Sequence, residues 1–356
     1  MKIHNFSAGP AILPASVMEA SARAAVDFNG MGLSILEISH RTKDFEAVMA
    51  EAESLVRELS GAGDDYAVLF LGGGASTQFF MAPMNLLNDE DTACYVDSGV
   101  WATKAIKEAK NFGKIEVLAS SKDRNYNYIP KDYAVAPQAR YLHLTSNNTI
   151  YGTEIHEWPE TDAPIVSDMS SDMFSRPIDI ERFGLIYAGA QKNLGPAGVT
   201  LVIVRKDLLG HTTRKLPAML DYRIHADNGS MYNTPPVFPI YTMMLTLRWI
   251  KEQGGLEAMA LHNVQKAQLL YNEIDTNPCF TGTAVEEDRS LMNVCFVPVN
   301  PEHEAPFMEA CKAAGISGVK GHRSVGGFRA SIYNAMPQES VQVLVDVMRD
   351  FAKKVG

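Results

Sequence analysis

Leu185-Ile-Tyr-Ala-Gly-Ala-Gln-Lys-Asn-Leu-Gly-Pro-Ala-Gly198 is the stretch on which the reading of this chain turns. An apolar run ends in small residues, and a lysine stands alone at position 192. A glycine- and proline-rich turn follows, then a second apolar run from Val199 to Val204. The pattern puts Lys192 where a strand ends and a turn begins, with little bulk on either side. A lysine that attacks a carbonyl needs such a place. Its amine must be reachable by a flat molecule, and its neighbours must shift its pKa so that it can act as a nucleophile.

Upstream, Ala163-Pro-Ile-Val-Ser-Asp168 is another short apolar run, and it ends in a carboxylate. Open α/β sheets bind ligands outside the carboxyl ends of their strands, so Asp168 and Lys192 are expected to face one crevice. Pyridoxal phosphate needs this pair. The lysine forms the Schiff base, and the carboxylate keeps the ring nitrogen protonated so that the ring accepts electrons. Taken singly, Lys192 also reads as a surface cation and Asp168 as a helix cap. Two such residues at two strand ends favour the cofactor.

The rest of the chain alternates in the same way. From about Asp64, strands are expected at Tyr66–Leu71, Ala93–Val96, Ile115–Ala119, Arg140–Leu144, Ile165–Asp168, Leu185–Ala188 and Val199–Val204. Helices fall after Gly72-Gly-Gly74 and over Trp101–Asn111. Short β-rich runs between helices predict a mostly parallel sheet covered on both faces. A longer helix runs from Leu256 to about Ile274, its apolar residues recurring at three and four. Beyond Asn277-Pro278 a strand is expected at Leu291–Val299 and a helix at Pro306–Ala314. A strand at Phe328–Tyr333 and a helix at Pro337–Val355 complete a smaller α/β domain. The boundary falls near residues 255–260. The extended start, Phe6 to Pro14, has no core of its own and docks on one of the two domains.

Composition bounds the function. A chain of 356 residues is too long for one comfortable core. The net charge of −10 excludes nucleic acid as main partner, since phosphate backbones need a basic face. Cys94, Cys279, Cys295 and Cys311 are scattered, with neither zinc-site nor disulfide spacing, which fits a reducing cytosol. The N-terminus lacks the regions of a signal peptide, and no apolar stretch is long enough to span a bilayer. A cytoplasmic protein without metal or membrane is expected.

Other stretches suit a cofactor site. Gly72-Gly-Gly-Ala-Ser-Thr-Gln78 follows a strand and opens a helix, where free N–H groups and the helix dipole bind phosphate; it reads equally as a tight turn. Ser76 or Thr77 can add a hydroxyl. Trp101 could stack on a ring or fill a core. Asn147-Asn148-Thr149 could bond a ring hydroxyl or make a turn. Ser39-His40-Arg41 lies between helical segments, and Lys320-Gly-His-Arg323 precedes Val325-Gly-Gly-Phe-Arg329. Arginine grips carboxylate or phosphate through two parallel hydrogen bonds, so this set suits a substrate with several negative charges.

At this point the chain resembles the phosphoserine aminotransferase family, class-V aminotransferases of pyridoxal phosphate fold type I. The resemblance covers essentially the whole length. It rests on Asn5-Phe-Ser-Ala-Gly-Pro-Ala11, Glu37-Ile-Ser-His-Arg41, the triple glycine, Tyr187-Ala-Gly-Ala-Gln-Lys-Asn193 and Leu220-Asp-Tyr222. Asn228-Gly-Ser-Met-Tyr-Asn-Thr-Pro-Pro236, Lys320-Gly-His-Arg323 and Arg329-Ala-Ser-Ile-Tyr-Asn-Ala-Met336 complete it. It implies a large domain over 15–257 with a mostly parallel seven-stranded sheet, and a small domain over 1–14 and 258–356.

The resemblance also implies roles. Lys192 is similar to the Schiff-base lysine, Asp168 to the partner of the ring nitrogen, Trp101 to the stacked residue and Thr149 to the one near the ring hydroxyl. Ala75, Ser76 and Gln191 resemble phosphate-side contacts. Asn233 and Thr234 resemble residues that reach the cofactor phosphate of the other subunit, which implies a homodimer with shared active sites. Ser7, His40, Arg41, His322, Arg323 and Arg329 match positions around the substrate. Some family members carry an arginine just after the triple glycine. Ala75-Ser76-Thr77 stands here instead, so His40, Arg41, His322 and Arg323 must supply more of the attraction for phosphate.

The implied reaction moves an amino group from L-glutamate to 3-phosphohydroxypyruvate, giving phosphoserine and 2-oxoglutarate, with ping-pong kinetics. The phosphohydroxythreonine of vitamin B6 synthesis is a related substrate. Two other readings stand beside it: a cysteine desulfurase on the same scaffold, which needs a mobile exposed cysteine, and a binding protein that has kept the fold without the activity.

Overall fold

The computed structural model describes residues 2–355. Among them, seven strands form the central sheet. In spatial order they are Tyr66–Leu71, Thr200–Arg205, Phe183–Gly189, Ile165–Asp168, Leu142–Thr145, Thr92–Asp97 and Lys114–Ser120. Five neighbouring strands, from Phe183–Gly189 to Lys114–Ser120, run parallel. Thr200–Arg205 runs antiparallel to both its neighbours. The physical reason lies in the turn after Lys192. No crossover helix separates Gly189 from Thr200, and a short return can only bring the chain back antiparallel.

Tyr66–Leu71 and Phe183–Gly189 are buried at every position, because helices cover both faces of the sheet. The last strand, Lys114–Ser120, closes the sheet edge with exposed Lys114 and Glu116, which blunts it against further pairing. Six of the seven strands present their carboxyl ends along one edge. Gly72-Gly-Gly74, Ser98-Gly99, Asn147–Thr149, Asp168 and the Lys192 turn all follow at that edge.

Helices Ala15–Val26, Lys43–Ser60 and Val237–Glu252 pack together on one side of the sheet. The last was not anticipated. Its residues Ile240 to Leu247 are all buried, so it is apolar around most of its circumference and shows no amphipathic period. Asn147–Asn148 pairs with Thr153–Glu154 in a small hairpin, which holds Thr149 in a fixed turn.

A second core lies apart from the first. Phe280–Gly282, Asn293–Pro298 and Phe328–Ser331 form an antiparallel sheet, covered by helices Glu304–Ala313 and Gln338–Val355. Phe280, Phe296, Phe307, Phe328 and Phe351 meet there, with ring centroids 4.7 Å apart for Phe280 and Phe307. Helix Gly255–Thr276 feeds both cores: Leu256 and Met259 enter the first, Ala267, Leu270 and Ile274 the second. The N-terminal strand His4–Asn5 pairs with Ile316–Ser317, and Phe6 is buried in the second core. From there the chain crosses back, and the Ala11 amide donates to the Gln191 carbonyl at 3.0 Å.

Candidate active site

Lys192 and Asp168 meet at the carboxyl edge of the sheet. Asp168 ends its strand beside Tyr187 and Thr145, buried to 6 % exposure. Its Oδ1 accepts the Ser170 amide at 2.9 Å. Lys192 Nζ donates to Thr149 Oγ1 at 2.8 Å and lies 5.9 Å from the centre of the Trp101 ring. Burial pushes the Lys192 amine down; Asp168 opposes this and Arg329 adds to it. Burial pushes the Asp168 carboxyl up, and the Lys192 charge pulls it back. A lysine held below its ordinary pKa is closer to the neutral form that attacks carbonyls.

The N-terminal segment walls this pair. A Cβ on Gly9 would lie 3.3 Å from Lys192 Cγ, so Gly9 permits a close approach. Tyr333 Oη donates to the Ala8 carbonyl at 2.7 Å and ties this wall to the second core. Ser7 packs on Gly318. Gln191 precedes the lysine, partly buried.

The triple glycine opens helix Gly74–Leu86, with Gly73 and Gly74 at φ 95° and 69°, a backbone that side chains rarely adopt. The Thr77 hydroxyl donates to the Gly73 carbonyl at 2.8 Å and is thereby occupied within the turn. Ser76 is exposed, beside Ala75 in the first turn, where the helix N–H groups have no intrahelical partner. Trp101 stands in the first turn of helix Val100–Ala109. Asn148 amide donates to the Ser98 carbonyl at 2.5 Å and fixes the loop before it.

The cations gather on the same side. Arg329 Nη1 donates to the Thr149 carbonyl at 3.2 Å. His322 Nδ1 pairs with Ser324 Oγ at 2.7 Å. Burial holds the His322 ring below its ordinary pKa, and the charges of Arg329, Arg323 and Lys104 add to this. Lys104, one helical turn after Trp101, lies 4.4 Å over its ring. Sequence reasoning passed over Lys104; its i,i+3 spacing from Trp101 was the available signal. His40 and Arg41 lie in a loop between helices. Among the described residues they make no hydrogen bond or ion pair to Lys192, Asp168, His322 or Arg323. Asn233 and Thr234 are exposed on a loop that Ser230 anchors to the sheet edge by accepting the Phe70 amide at 2.9 Å. Among the described residues they too make no hydrogen bond or ion pair to Lys192 or Asp168.

A family model described as aminotransferase class-V matches residues 3–344. The chain belongs to the class-V aminotransferases. This class-V aminotransferase is 60 % identical to a phosphoserine aminotransferase of Flavobacterium johnsoniae over the full length of both chains. It is 57 % identical to one of Bacteroides thetaiotaomicron, covering 99 % of each. Among solved structures it is similar to the phosphoserine aminotransferase of Bacillus circulans subsp. alkalophilus. The TM-score is 0.97 and the identity 48 %, over 100 % of this chain and 99 % of that one. A structure from Trichomonas vaginalis, solved with pyridoxal phosphate bound, matches at TM-score 0.94 and 38 % identity, over 98 % and 100 %. The architecture is that of fold type I.

The residues present fit pyridoxal phosphate. An amine with a depressed pKa, a buried carboxylate and a flat indole lie together, and an open helix N-terminus begins at the same edge of the sheet. Two buried nitrogens of this region, Trp101 Nε1 and Arg329 Nε, have no hydrogen-bond partner, as expected where a polar molecule binds.

Proposed function

We propose that this class-V aminotransferase is a phosphoserine aminotransferase, moving an amino group between L-glutamate and 3-phosphohydroxypyruvate. The observation that carries the reading is the Lys192–Asp168 pair beside a cluster of cations, in a chain 60 % identical to a protein of that name. Pyridoxal phosphate, when bound, supplies an electron sink for the pair released at the substrate α-carbon. Asp168 would hold the proton at its ring nitrogen. Trp101 would cover one ring face, and Thr149 would take the ring hydroxyl. Ala75, Ser76 and Gln191 would hold its phosphate. Lys192 would move the proton at the α-carbon, as base and then as acid. The Thr149 hydroxyl keeps its amine in place.

Arg329 would grip the substrate's α-carboxylate with its planar fork, with Ser7 beside it. His322 and Arg323 would draw the distal phosphate or carboxylate, joined by His40 and Arg41. We propose a homodimer, because Asn233 and Thr234 are exposed, bond to no residue of this chain's own site among the described residues and resemble family residues that serve the phosphate side of a partner's. The division into 15–257 and 1–14 with 258–356 is proposed on the two separate cores. The same pocket suits the longer phosphohydroxythreonine as a second substrate. Among the described residues no helix is long and apolar enough to cross a membrane. A cytoplasmic location is proposed on the thiols. The desulfurase reading loses ground because all four cysteines are buried, with the Cys295 and Cys311 thiols pushed up to about 12.

The test is a half-reaction followed by the cofactor's absorbance. Glutamate should convert the yellow protein. After its removal, 3-phosphohydroxypyruvate should restore the original spectrum and pyruvate should not. Recovery with pyruvate alone would refute the phosphate-reading pocket. Multiple turnover by Lys192→Ala would refute the role of the lysine.

A further inference from the structure

Beneath Asp168 lies a second buried carboxyl that the reaction above does not use. Asp172 is 6 % exposed and follows Asp168 by one turn of chain. Its Oδ1 makes a short hydrogen bond with Ser146 Oγ. Ser146, fully buried, also places its Oγ 3.0 Å from the Asp168 carbonyl oxygen. A serine hydroxyl has one proton and can donate once. Both of these neighbours are acceptors if Asp172 is ionised. One contact would then be a bare approach of two oxygens in a buried site, which costs free energy. Both contacts become hydrogen bonds if Asp172 carries a proton. Its O–H donates to Ser146 Oγ, and the Ser146 O–H donates to the Asp168 carbonyl.

We propose that Asp172 is held as a neutral carboxylic acid and serves, through Ser146, as a positioning residue for Asp168. The groups facing it are Glu154, Arg176, Asp168 and Lys192. Glu154, on the neighbouring hairpin, accepts the Leu291 amide at 2.7 Å through Oε2, and its Oε1 lies 3.6 Å from Arg176 Nε. Both suit an ionised Glu154. Its Oε1 has no acceptor to which a proton could be donated, so a proton shared by the two acids rests on Asp172. Burial and the charges of Glu154 and Asp168 raise the Asp172 carboxyl to about 7, against the pull of Arg176 and the Ser146 hydroxyl; burial raises Glu154 too, with Arg176 and the Leu291 amide pulling it back. Asp168 and Lys192 complete its surroundings. A neutral Asp172 adds no second anion beside Asp168. It also ties the end of the Asp168 strand to the loop that leads into the Asn147–Asn148 hairpin.

The positioning role rests on Asp168 serving the cofactor ring. The protonation is read on the cofactor-free chain, so the two can fail separately. Infrared spectra near neutral pH should show a protonated carboxylic acid band that shifts in heavy water. It should vanish at every pH in Asp172→Asn, and in Glu154→Gln, which removes a charge that helps hold the proton, it should remain but titrate away at lower pH. In the loaded enzyme, Asp172→Asn should stay within about threefold of parental kcat, because the amide N–H replaces the acid O–H. Asp172→Ala and Ser146→Ala should each lose about tenfold or more, the effect of an unpaired buried group. Absence of the band from the parent, or its persistence in Asp172→Asn, would overturn the protonation. An Asn variant as defective as the Ala variant would overturn the positioning role. The infrared result on the parent stands even where a variant does not fold.

Discussion

Replacing Lys266 by methionine probes the join between the two cores. Lys266 is 3 % exposed on helix Gly255–Thr276 and donates to the carbonyls of Ile332 and Tyr333 at 3.0 and 2.7 Å. Those two residues follow the strand that carries Arg329, and Tyr333 holds the Ala8 wall of the site. Burial lowers the Lys266 amine to about 7. In the unfolded chain a lysine titrates near about 10.4, so the difference corresponds to about 4–5 kcal/mol. Below the folded pKa the amine is charged in both states, and the full cost of burying an ammonium weighs on the fold. As pH rises toward the unfolded pKa, the folded state has released a proton that the unfolded state still holds. Stability then grows by about 1.4 kcal/mol per pH unit. Methionine has no such proton and no such slope. It leaves two carbonyls without a donor, at about 1–3 kcal/mol each. Near neutrality the relieved charge and the lost bonds nearly offset, and at higher pH the parent should win. Urea unfolding of both proteins in one cofactor state should show the parent's advantage widening by about 2–3 kcal/mol between about pH 7 and about pH 9. A difference that does not change with pH would mean the amine stays charged inside the fold, and the reasoning would fail.

Three further substitutions address the site. Lys104→Ala should raise the KM for the phosphorylated acceptor by about three- to tenfold at low salt, and that for glutamate less, since a dianion feels the lost charge more; equal KM values would remove Lys104 from the pocket. Arg329→Lys should raise both KM values by about tenfold or more, because lysine cannot form the paired fork; steady-state kinetics with each substrate decide this. Gly318→Ala would place a Cβ 2.4 Å from Ser7 Oγ and 2.6 Å from its amide nitrogen, at φ 78°. The Ser7–Ala11 wall should shift, lowering Tm and kcat together, and an unaltered Tm would show that the wall yields freely.

The legible parts were those whose reasons are local. An apolar run followed by small residues, one lysine and a Gly-Pro turn makes a strand end with an open amine, whatever lies around it. The run before Asp168 does the same for a carboxylate, and the triple glycine marks a strand-to-helix turn that other residues would strain. Helix Val237–Glu252 was not legible, because a helix buried on nearly all sides leaves no polar face to mark its period. The reversed strand Thr200–Arg205 has the same apolar composition as its parallel neighbours.

By itself, then, the sequence determined where the strands end and which reactive side chains stand there, since backbone propensity and side-chain period act over a few residues. Tertiary structure alone decided what those side chains meet. Arg329 reaches Thr149, Asp172 reaches Ser146 and Lys104 lies over Trp101 beside His322. The sheet order and the docking of the second core bring such groups together. The desolvation that shifts Lys192, Asp168 and Asp172 exists only once that packing has excluded water.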